Sequence, residues 1–341
     1  VETRAEAGTG SGVDVKGGAM TVQAETRLRG KTAETDATAG AGGALLGAGA
    51  SDANSIVRTD TVAEVGSGNK IDVSGEFKVK ADSDTYADAD VTGINIGLLA
   101  GGSNNAKART DTETYATVGD NPTIKAQAVK VDADSNDTLR ANTKAGAGGL
   151  GVLVASKSET DADAHTHARL GGPTGTGGTI DAVLVEVGAA QHVNFNARAD
   201  STSASAIGYS GARAVNHVDT DTRAILGPKV TVNAEDFSAQ AWNDILKPDL
   251  ASGYNVDSGS GGLLNAAAAR SESFIRNGAL VDIQDGAKVD VEVAGITPVG
   301  ALDLAAWNQV EAHDVVRLDS GGAIAIAKAE SEIRNDRNDA T

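Results

Sequence analysis

Cysteine is absent from this chain of 341 residues, methionine occurs once, and aromatic residues make up only 3%. Without a thiol the chain cannot be a disulfide-stapled secreted module. So few bulky side chains also argue against the thick apolar core of an ordinary globular enzyme of this length. The longest apolar run, residues 44–50, is far shorter than the roughly 20 residues that a bilayer-spanning helix needs. The sequence therefore predicts no membrane span.

Basic residues are also scarce, with 29 Lys and Arg against 47 Asp and Glu, and the formal net charge is −18. A surface of this sign repels phosphate, so nucleic acid is not an expected partner. Small residues are in excess, with 60 alanines and 42 glycines. Few aromatics with high charge can also mean disorder, so the prediction depends on whether the small residues follow a period.

Three landmarks return in the same order along the chain, which indicates a repeat array. The first is a short alternating triplet that recurs every 50–59 residues. Its copies begin at Val13, Ile71, Ile124, Ile180, Val230 and Val289. The second is a longer run such as Phe77–Ala89, whose period of two predicts a strand with one buried and one wet face. Alanine at the buried positions would let two sheets approach closely around a narrow interior.

The third landmark is a basic residue, a small residue, an acid and a hydroxyl. Residues two apart share one face of a strand, so base and acid should both point to solvent while Thr110 and Thr112 point inward. If the repeats stack in register, the copies form a basic column beside an acidic column. The base–acid pairs of the six copies are Arg58 and Asp60, Arg109 and Asp111, Lys157 and Glu159, His217 and Asp219, Arg270 and Glu272, and Lys328 and Glu330.

These patterns predict an all-β chain, a parallel β-solenoid (β-helix) built from about six repeats of roughly 50–59 residues. It spans residues 1–341 as a single array, and we expect it to be a segment of a much longer chain. Loop composition predicts edge loops near 170–178 and 243–260. Each repeat also has two related halves, with Tyr86 and Tyr115 29 residues apart. Two coils per repeat are slightly favoured over one wide coil, and both interpretations stay open.

The repeats resemble those of giant bacterial filamentous adhesins, the haemagglutinin-like and leukotoxin-family types. The resemblance rests on the Ile/Val-x-Val triplets, the Gly-Leu-Leu-Ala-Gly-Gly turn at 97–102 and the strand pattern at 106–119. It covers essentially the whole chain, although the family's terminal secretion domain is not seen. It implies an extracellular β-solenoid stalk or fibre on the bacterial cell surface, exported by a dedicated outer-membrane route.

Two groups of residues are candidates for binding a metal ion. Asp82, Asp84, Asp88 and Asp90 alternate along one strand and would suit Ca²⁺, although a solvated acidic surface is the favoured interpretation. His165 and His167 would share one strand face beside Asp161 and Asp163, as in a transition-metal site. No cofactor is expected apart from Ca²⁺. The Gly-x-Gly-x-x-Gly match at 146–151 precedes an apolar stretch and does not predict a dinucleotide site.

The sequence predicts a structural or adhesive segment of a secreted or cell-surface fibre, a stalk, filament or matrix component, and not an enzyme. Its expected partners are neighbouring segments of the same long chain, other fibre copies, and a host or neighbouring cell surface. One alternative is a polysaccharide-processing β-helix enzyme, which would need a non-repeating cluster of acids with Lys or Arg along one groove. Another is a calcium- or ice-binding solenoid, the latter through Thr-x-Thr arrays such as Thr59 with Thr61.

Overall fold

The computed structural model describes residues 1–8, 13–28, 33–250, 253–292 and 300–341. Strands account for 84% of the residues, and the described ranges contain no α-helix. Within those ranges no helix is long and apolar enough to cross a membrane. The prediction of an all-β chain is therefore confirmed.

Each repeat begins with a short strand, and the short strands form one six-stranded parallel sheet. They are short because glycine, proline or asparagine turns bound them, as at Gly68 and at Pro122. The short strands are β2 (Asp14–Gly17), β6 (Lys70–Val73), β9 (Thr123–Lys125), β11 (Gly178–Asp181), β13 (Val230–Ala234) and β16 (Lys288–Val291).

After each short strand the chain runs out along an outbound arm, turns, and comes back along a return arm. Outbound arms are formed by β3 (Met20–Arg27) with β4 (Glu34–Gly42), β7 (Glu76–Ile96), β14 (Asp236–Lys247) and β17 (Ala301–Ala312). Return arms are formed by β1 (Glu2–Ala7), β5 (Leu46–Val65) and β8 (Leu99–Val118). Four strands contain parts of both arms: β10 (Ala128–Leu170), β12 (Leu184–Leu226), β15 (Val256–Ile283) and β18 (Val316–Ala340).

Hydrogen-bonded neighbours in these ladders lie one whole repeat apart. Glu76 pairs in parallel with Ala128, which pairs with Leu184, so the pairing offset is 52 in the first ladder and 56 in the second. The two tyrosines that mark the half-repeat do not pair with each other: Tyr86 lies beside Thr138, and Tyr115 lies beside His167. The favoured interpretation of two coils per repeat is therefore wrong, because the half-repeat similarity relates the outbound arm to the return arm.

Changes in the pairing offset show where repeats gain length. The offset grows from 52 between β8 and β10 to 56 between β10 and β12, so the extra residues lie in the turn after Leu170. It grows again from 52 between β12 and β14 to 57 between β12 and β15, across residues 248–255. Residues 251 and 252 lie outside the described ranges. The first gain falls at the edge loop predicted near 170–178. The loop predicted near 243–260 is too long, because residues 243–247 belong to β14 and residues 256–260 belong to β15.

The two arms of each repeat face each other across a narrow interior. Near the short strands the interior is apolar and holds the largest buried side chains, including Phe77, Ile124 and Leu170. Farther along the arms it is filled mainly by alanine, serine and threonine, with Leu139 and Phe195 at its centre. The small residues thus occupy the buried face that the period-two pattern assigned to them.

Threonines of the charge motif point into this interior, as expected. Thr59 is 4% exposed, and Thr61, Thr110 and Thr112 are fully buried. Thr61 donates a hydrogen bond to Thr26 of the facing arm at 2.7 Å. An ice-binding face would need such threonines to lie outward, so these arrays do not form one.

Glycines allow the sharp turn that joins outbound and return arms. A Cβ on Gly149 would lie 2.0 Å from the carbonyl oxygen of Gly97 in the neighbouring repeat, so a larger residue cannot fit between the stacked turns. The Gly-x-Gly-x-x-Gly match at 146–151 is part of this turn within β10 and precedes a strand rather than a helix. It therefore lacks the helix N-terminus that binds a pyrophosphate.

Candidate metal centre and surface features

The charge-motif residues lie on the outer face of the return arms, but they do not stack as predicted. Arg58 and Arg109 are 51 residues apart in the sequence, whereas the register there pairs residues 53 apart. This copy is therefore displaced by two residues, and Lys157, which pairs with Asn105 rather than Arg109, is displaced by four; an even displacement keeps each copy on the same face. Arg58 lies 3.5 Å from Asp111, and Arg109 lies 3.7 Å from Asp161.

The prediction of a basic column beside an acidic column is wrong, because the copies of the motif are out of register with one another. Like charges stack along Lys157, Arg213 and Arg270 and along Asp111, Asp163 and Asp219, and a base meets an acid where such a run ends, as at Arg58 beside Asp111. Arg270 continues this pattern with a contact of 3.6 Å to Glu330. Pairs along one strand also form, at 2.6 Å for Lys157–Glu159 and 2.7 Å for Arg270–Glu272 and Lys328–Glu330. The remaining copy differs, because the ring of His217 stacks on Phe274 with centroids 5.1 Å apart, and Asp219 instead lies 3.6 Å from Arg276.

The acidic row on β7 points outward, with Asp88 the most buried of the four carboxylates. Each acid has a polar neighbour. Lys80 lies 3.2 Å from Asp82, Asn136 3.4 Å from Asp84, Tyr86 2.6 Å from Asp88, and Asn142 2.8 Å from Asp90. Burial raises the pKa of Asp88, although the Tyr86 hydrogen bond opposes that shift. Each carboxylate of the row is thus hydrogen-bonded to a side chain of the protein.

Three acids from two repeats meet at the end of this row. Glu34 and Asp36 of β4 pair with Asp88 and Asp90, and ligand oxygens of Glu34, Asp36 and Asp90 lie within 4.8 Å of one another. The sequence did not single out Glu34 or Asp36, because their alignment with β7 depends on the chain between β3 and β4. Exposed carboxylates often cluster without an ion, and the donor set here is purely acidic.

His165 and His167 form a more distinctive candidate metal centre on β10. Both imidazoles lie on the outer face, with ring centroids 6.4 Å apart. The third donor is Asp221, which the register places beside His165 on the next repeat. Ligand atoms of the three residues lie within 4.8 Å of one another, and His167 Nε2 is 3.3 Å from an oxygen of Asp221.

Three carboxylates and one guanidinium surround the two imidazoles of this centre. Glu113 lies beside His165 on the preceding repeat, and Asp163 lies 3.4 Å from the same imidazole. Burial alone would raise the pKa of Asp221, but hydrogen bonds from His167 and Arg223 hold it at about 2, so this carboxylate stays ionised. Two neutral imidazoles and one carboxylate are a ligand set that zinc accepts, with a fourth position left for water.

Of the acids that the sequence placed near the histidines, Asp163 is in contact and Asp161 is not a member of the ligand cluster. Asp161 instead takes part in the ion pair with Arg109. Asp221 was missed because it lies one whole repeat beyond His165 along the chain. The only signal that could have located it is the length of the loop after Leu170, which sets this register.

We expect one equivalent of Zn²⁺ to bind the chain, as measured by isothermal titration calorimetry, with Co²⁺ absorption as a second readout. His167→Gln should weaken binding at least about tenfold, because it removes one of three ligands. His192→Gln is the matched control, since His192 also lies on the outer face and contacts one carboxylate, Asp244, at 3.4 Å. Equal affinity in both variants would rule out this centre.

A groove lies on the outbound face, where the chain at 248–255 interrupts the arm. Its volume is about 430 Å³, and acids, cations and one tyrosine line it. Burial raises the pKa of Asp200, against the attraction of Lys144, and burial with the nearby charge of Asp200 raises the pKa of Asp257. Its charged and aromatic lining residues are Asp90, Lys144, Arg198, Asp200, Tyr254 and Asp257.

A line of exposed large apolar side chains follows the turn between outbound and return arms, and it is here called the apolar edge. Its members are Leu45, Leu46, Ile94, Ile96, Leu98, Leu99, Leu150, Leu153, Ile207, Tyr209, Leu263, Leu264, Ile324 and Ile326. The sequence pattern indicated the Leu-Leu pairs only as turn residues and did not identify them as a surface. The signal was available, since Leu45–Leu46, Leu98–Leu99 and Leu263–Leu264 recur at the same point of the repeat.

Comparisons with family models, with curated proteins and with solved structures found no match to this chain.

Proposed function

We propose that this chain is a β-solenoid of about six coils, one coil per repeat, and that it serves as a structural and adhesive segment of a bacterial surface or matrix fibre. The observation that supports this proposal is the ladder register. The same parallel pairing joins repeat after repeat, so each added repeat extends one continuous structure along a single axis. This arrangement suits an extracellular load-bearing or display role.

The proportions of one repeat favour a broad blade over a thin stalk. An arm such as β7 has 21 residues, which at about 3.3 Å per residue gives a width near 70 Å. Each additional repeat advances the axis by only about 4.8 Å. A chain with these dimensions gains little length per residue but displays two wide charged faces. We therefore place it among matrix or display components of a fibre.

A polysaccharide-processing enzyme is the second candidate function, and the groove lined by Asp200 and Asp257 favours it. These acids belong to neighbouring repeats and face one another across the ladder, with Lys144 on the other side of Asp200. Two carboxyl groups with raised pKa values are the kind of pair that acid–base chemistry on a sugar uses. The flanking repeats carry Lys144 and Arg317 at the corresponding positions, so within the described ranges this ladder holds the pair of acids in two repeats only, as such an enzyme requires.

Antibodies raised against this chain are expected to label intact cells of the source organism from outside, along thin extended material, in immunoelectron microscopy. Permeabilised cells are the control, and labelling that needs permeabilisation would contradict the proposed function. A polysaccharide depolymerisation screen separates the second candidate. Polysaccharide turnover by the wild type that is lost in Asp200→Asn would favour the enzyme. A wild type that turns over no polysaccharide would favour the fibre.

A further inference from the structure

Large apolar side chains are concentrated on the apolar edge, where they form a continuous exposed surface. Their exposed fractions run from 38% at Leu264 to 70% at Leu46. A whole aliphatic side chain offers roughly 60–120 Å² of apolar area, so the edge presents on the order of 500–1,000 Å². The largest apolar patch on a typical monomer is about 300–600 Å². The edge is thus an unusually large apolar surface.

The register aligns these side chains in columns along the axis. One column contains Leu46, Leu99, Gly151, Ile207, Leu264 and Ile324. The next contains Ala48, Gly101, Leu153, Tyr209, Ala266 and Ile326. Because strands in a ladder lie about 4.8 Å apart, each column repeats at that spacing. The apolar edge is therefore a ridge of constant spacing along the array, with gaps at Gly151 in the first column and at Ala48, Gly101 and Ala266 in the second.

The ridge ends sharply where charge begins. A third column follows, with small residues from Ala50 to Ala268 and Lys328 in the last repeat, and the fourth holds Asp52, Asn105, Lys157, Arg213, Arg270 and Glu330. On the outbound side of the same turn, glycines occupy most outward positions, among them Gly40, Gly146 and Gly259. The large apolar residues thus lie at one border of the blade, and on its outbound side glycines flank Ile94 and Ile96 in the neighbouring repeats.

We propose that the apolar edge is a self-association surface, on which a second copy of this chain packs edge to edge. A second copy presents the same spacing of about 4.8 Å, so the large side chains of its ridge fall in step with those of the first, whereas a partner without that period would match at few points. The available area is close to the roughly 800 Å² per partner of a standard stable interface. An anionic lipid surface is disfavoured by the net charge of −18.

This inference deepens the proposed function, because it names the partner of a fibre segment, but its test does not depend on where the fibre resides. Edge-to-edge contact leaves the charged faces and the two open ends of the ladders free. Lateral pairing of blades would give a fibre width, while the repeats supply its length.

Sedimentation velocity of the wild-type chain should show a concentration-dependent dimer. The double variant Leu99→Lys/Ile207→Lys places two charges on the ridge and should raise the dimer dissociation constant at least a hundredfold. The matched control is Ile56→Lys/Trp242→Lys, which adds the same charge at exposed apolar residues away from the edge, 45% and 44% exposed. It should associate like the wild type, and both variants should keep the wild-type circular dichroism spectrum.

Disulfide trapping gives an independent readout, since the chain has no cysteine of its own. Leu98→Cys, at the turn, should form a disulfide-linked dimer under mild oxidation, and Asp181→Cys, on the short strand at the opposite border, should not. Monomeric wild type at about 100 µM, or association that survives the edge variants, would overturn the proposal. If copies instead pair end to end through their open strands, association would survive the edge variants. Neither result would affect the surface-labelling test of the proposed function.

Discussion

Lys247→Met is expected to lower the free energy of unfolding by about 3–5 kcal/mol, measured by urea denaturation with circular dichroism. The ammonium group of Lys247 is fully buried, and Asp314, its partner, has a side chain only 2% exposed. The two form an ion pair, and Ser273 accepts a hydrogen bond from the ammonium group at 3.1 Å. Removing the lysine leaves the Asp314 carboxylate buried without its counter-charge, which is the costly case for such pairs.

The position of this pair explains its burial. Lys247 ends β14, where the outbound arm is interrupted, and Asp314 lies in the corresponding break between β17 and β18. Ser271 donates a further hydrogen bond to Asp314 at 2.7 Å. Burial lowers the pKa of Lys247, against the attraction of Asp314. The ion pair fills the interior at the point where both repeats leave the regular arm.

Lys247→Met/Asp314→Leu should recover most of the lost stability, because it removes both charges and keeps the volume. Lys328→Met is the control for an exposed pair, since Lys328 is 70% exposed, and should cost less than about 1 kcal/mol. If Lys247→Met alone is as stable as the wild type, the ion pair of Lys247 and Asp314 is not buried in solution.

Asp137→Ala is expected to lower the free energy of unfolding by about 2–4 kcal/mol, because it leaves buried donors without an acceptor. Asp137 is fully buried in the interior between the arms. It accepts hydrogen bonds from Thr85 in one neighbouring repeat, from Thr112 of the facing arm at 2.9 Å, and from Gln191 in the other neighbouring repeat at 2.9 Å. These three donors bind the carboxylate from three different strands.

Asp137→Asn should instead stabilise the protein by about 1–2 kcal/mol at pH 7, because the amide carries no charge to desolvate. Gln191 can turn its own amide over, so that its oxygen accepts from the amide introduced at position 137 and its nitrogen donates to Thr166, which in the wild type donates to the Gln191 oxygen at 2.5 Å. The buried hydrogen bonds are then kept without the ion.

The pH dependence follows from the pKa of Asp137, which burial raises above its usual 3.8, with the charge of Asp84 adding to the shift and the three hydrogen bonds opposing it. The folded protein holds this proton more tightly than the unfolded chain, so stability is lost as pH rises from about 3.8 through the folded pKa. The advantage of Asp137→Asn over the wild type should therefore grow between pH 4 and pH 7. An advantage that stays constant or shrinks would contradict the raised pKa.

Much of the fold follows from the sequence because burial on a strand is set locally. The period of two places Phe77, Val79 and Ala81 inside and Lys78 and Lys80 outside, as the structure has them. The same rule correctly turned the motif threonines inward, because residues one apart face opposite sides. The loop near 170–178 and the presence of an interruption within 243–260 were also visible, since glycine and proline mark them, although the ends of β14 and β15 within 243–260 were not.

Register could not be predicted, because it depends on the summed length of strands and loops around a whole repeat. A displacement of two residues keeps every side chain on its proper face, so hydrophobic patterning gives no signal against it. For this reason the pairing of Arg58 with Asp111, and the meeting of His165 with Asp221, were not visible in the sequence. Asp137 was likewise unexpected, since a lone acid at an inward position looks like an irregularity in the pattern.

The pairing offset varies from 52 to 65 among the ladders, and this has a consequence for which insertions and deletions such a chain can accept. Insertions that fall in the turn after Leu170 or at 248–255 lengthen a repeat without disturbing the arms. Within an arm, a deletion of two residues would merely re-pair the surface charges. A deletion of one would turn the alanines outward and bury the lysines beyond it. Insertions and deletions of single residues should therefore accumulate in the loops, whereas those within the arms should involve two residues at a time.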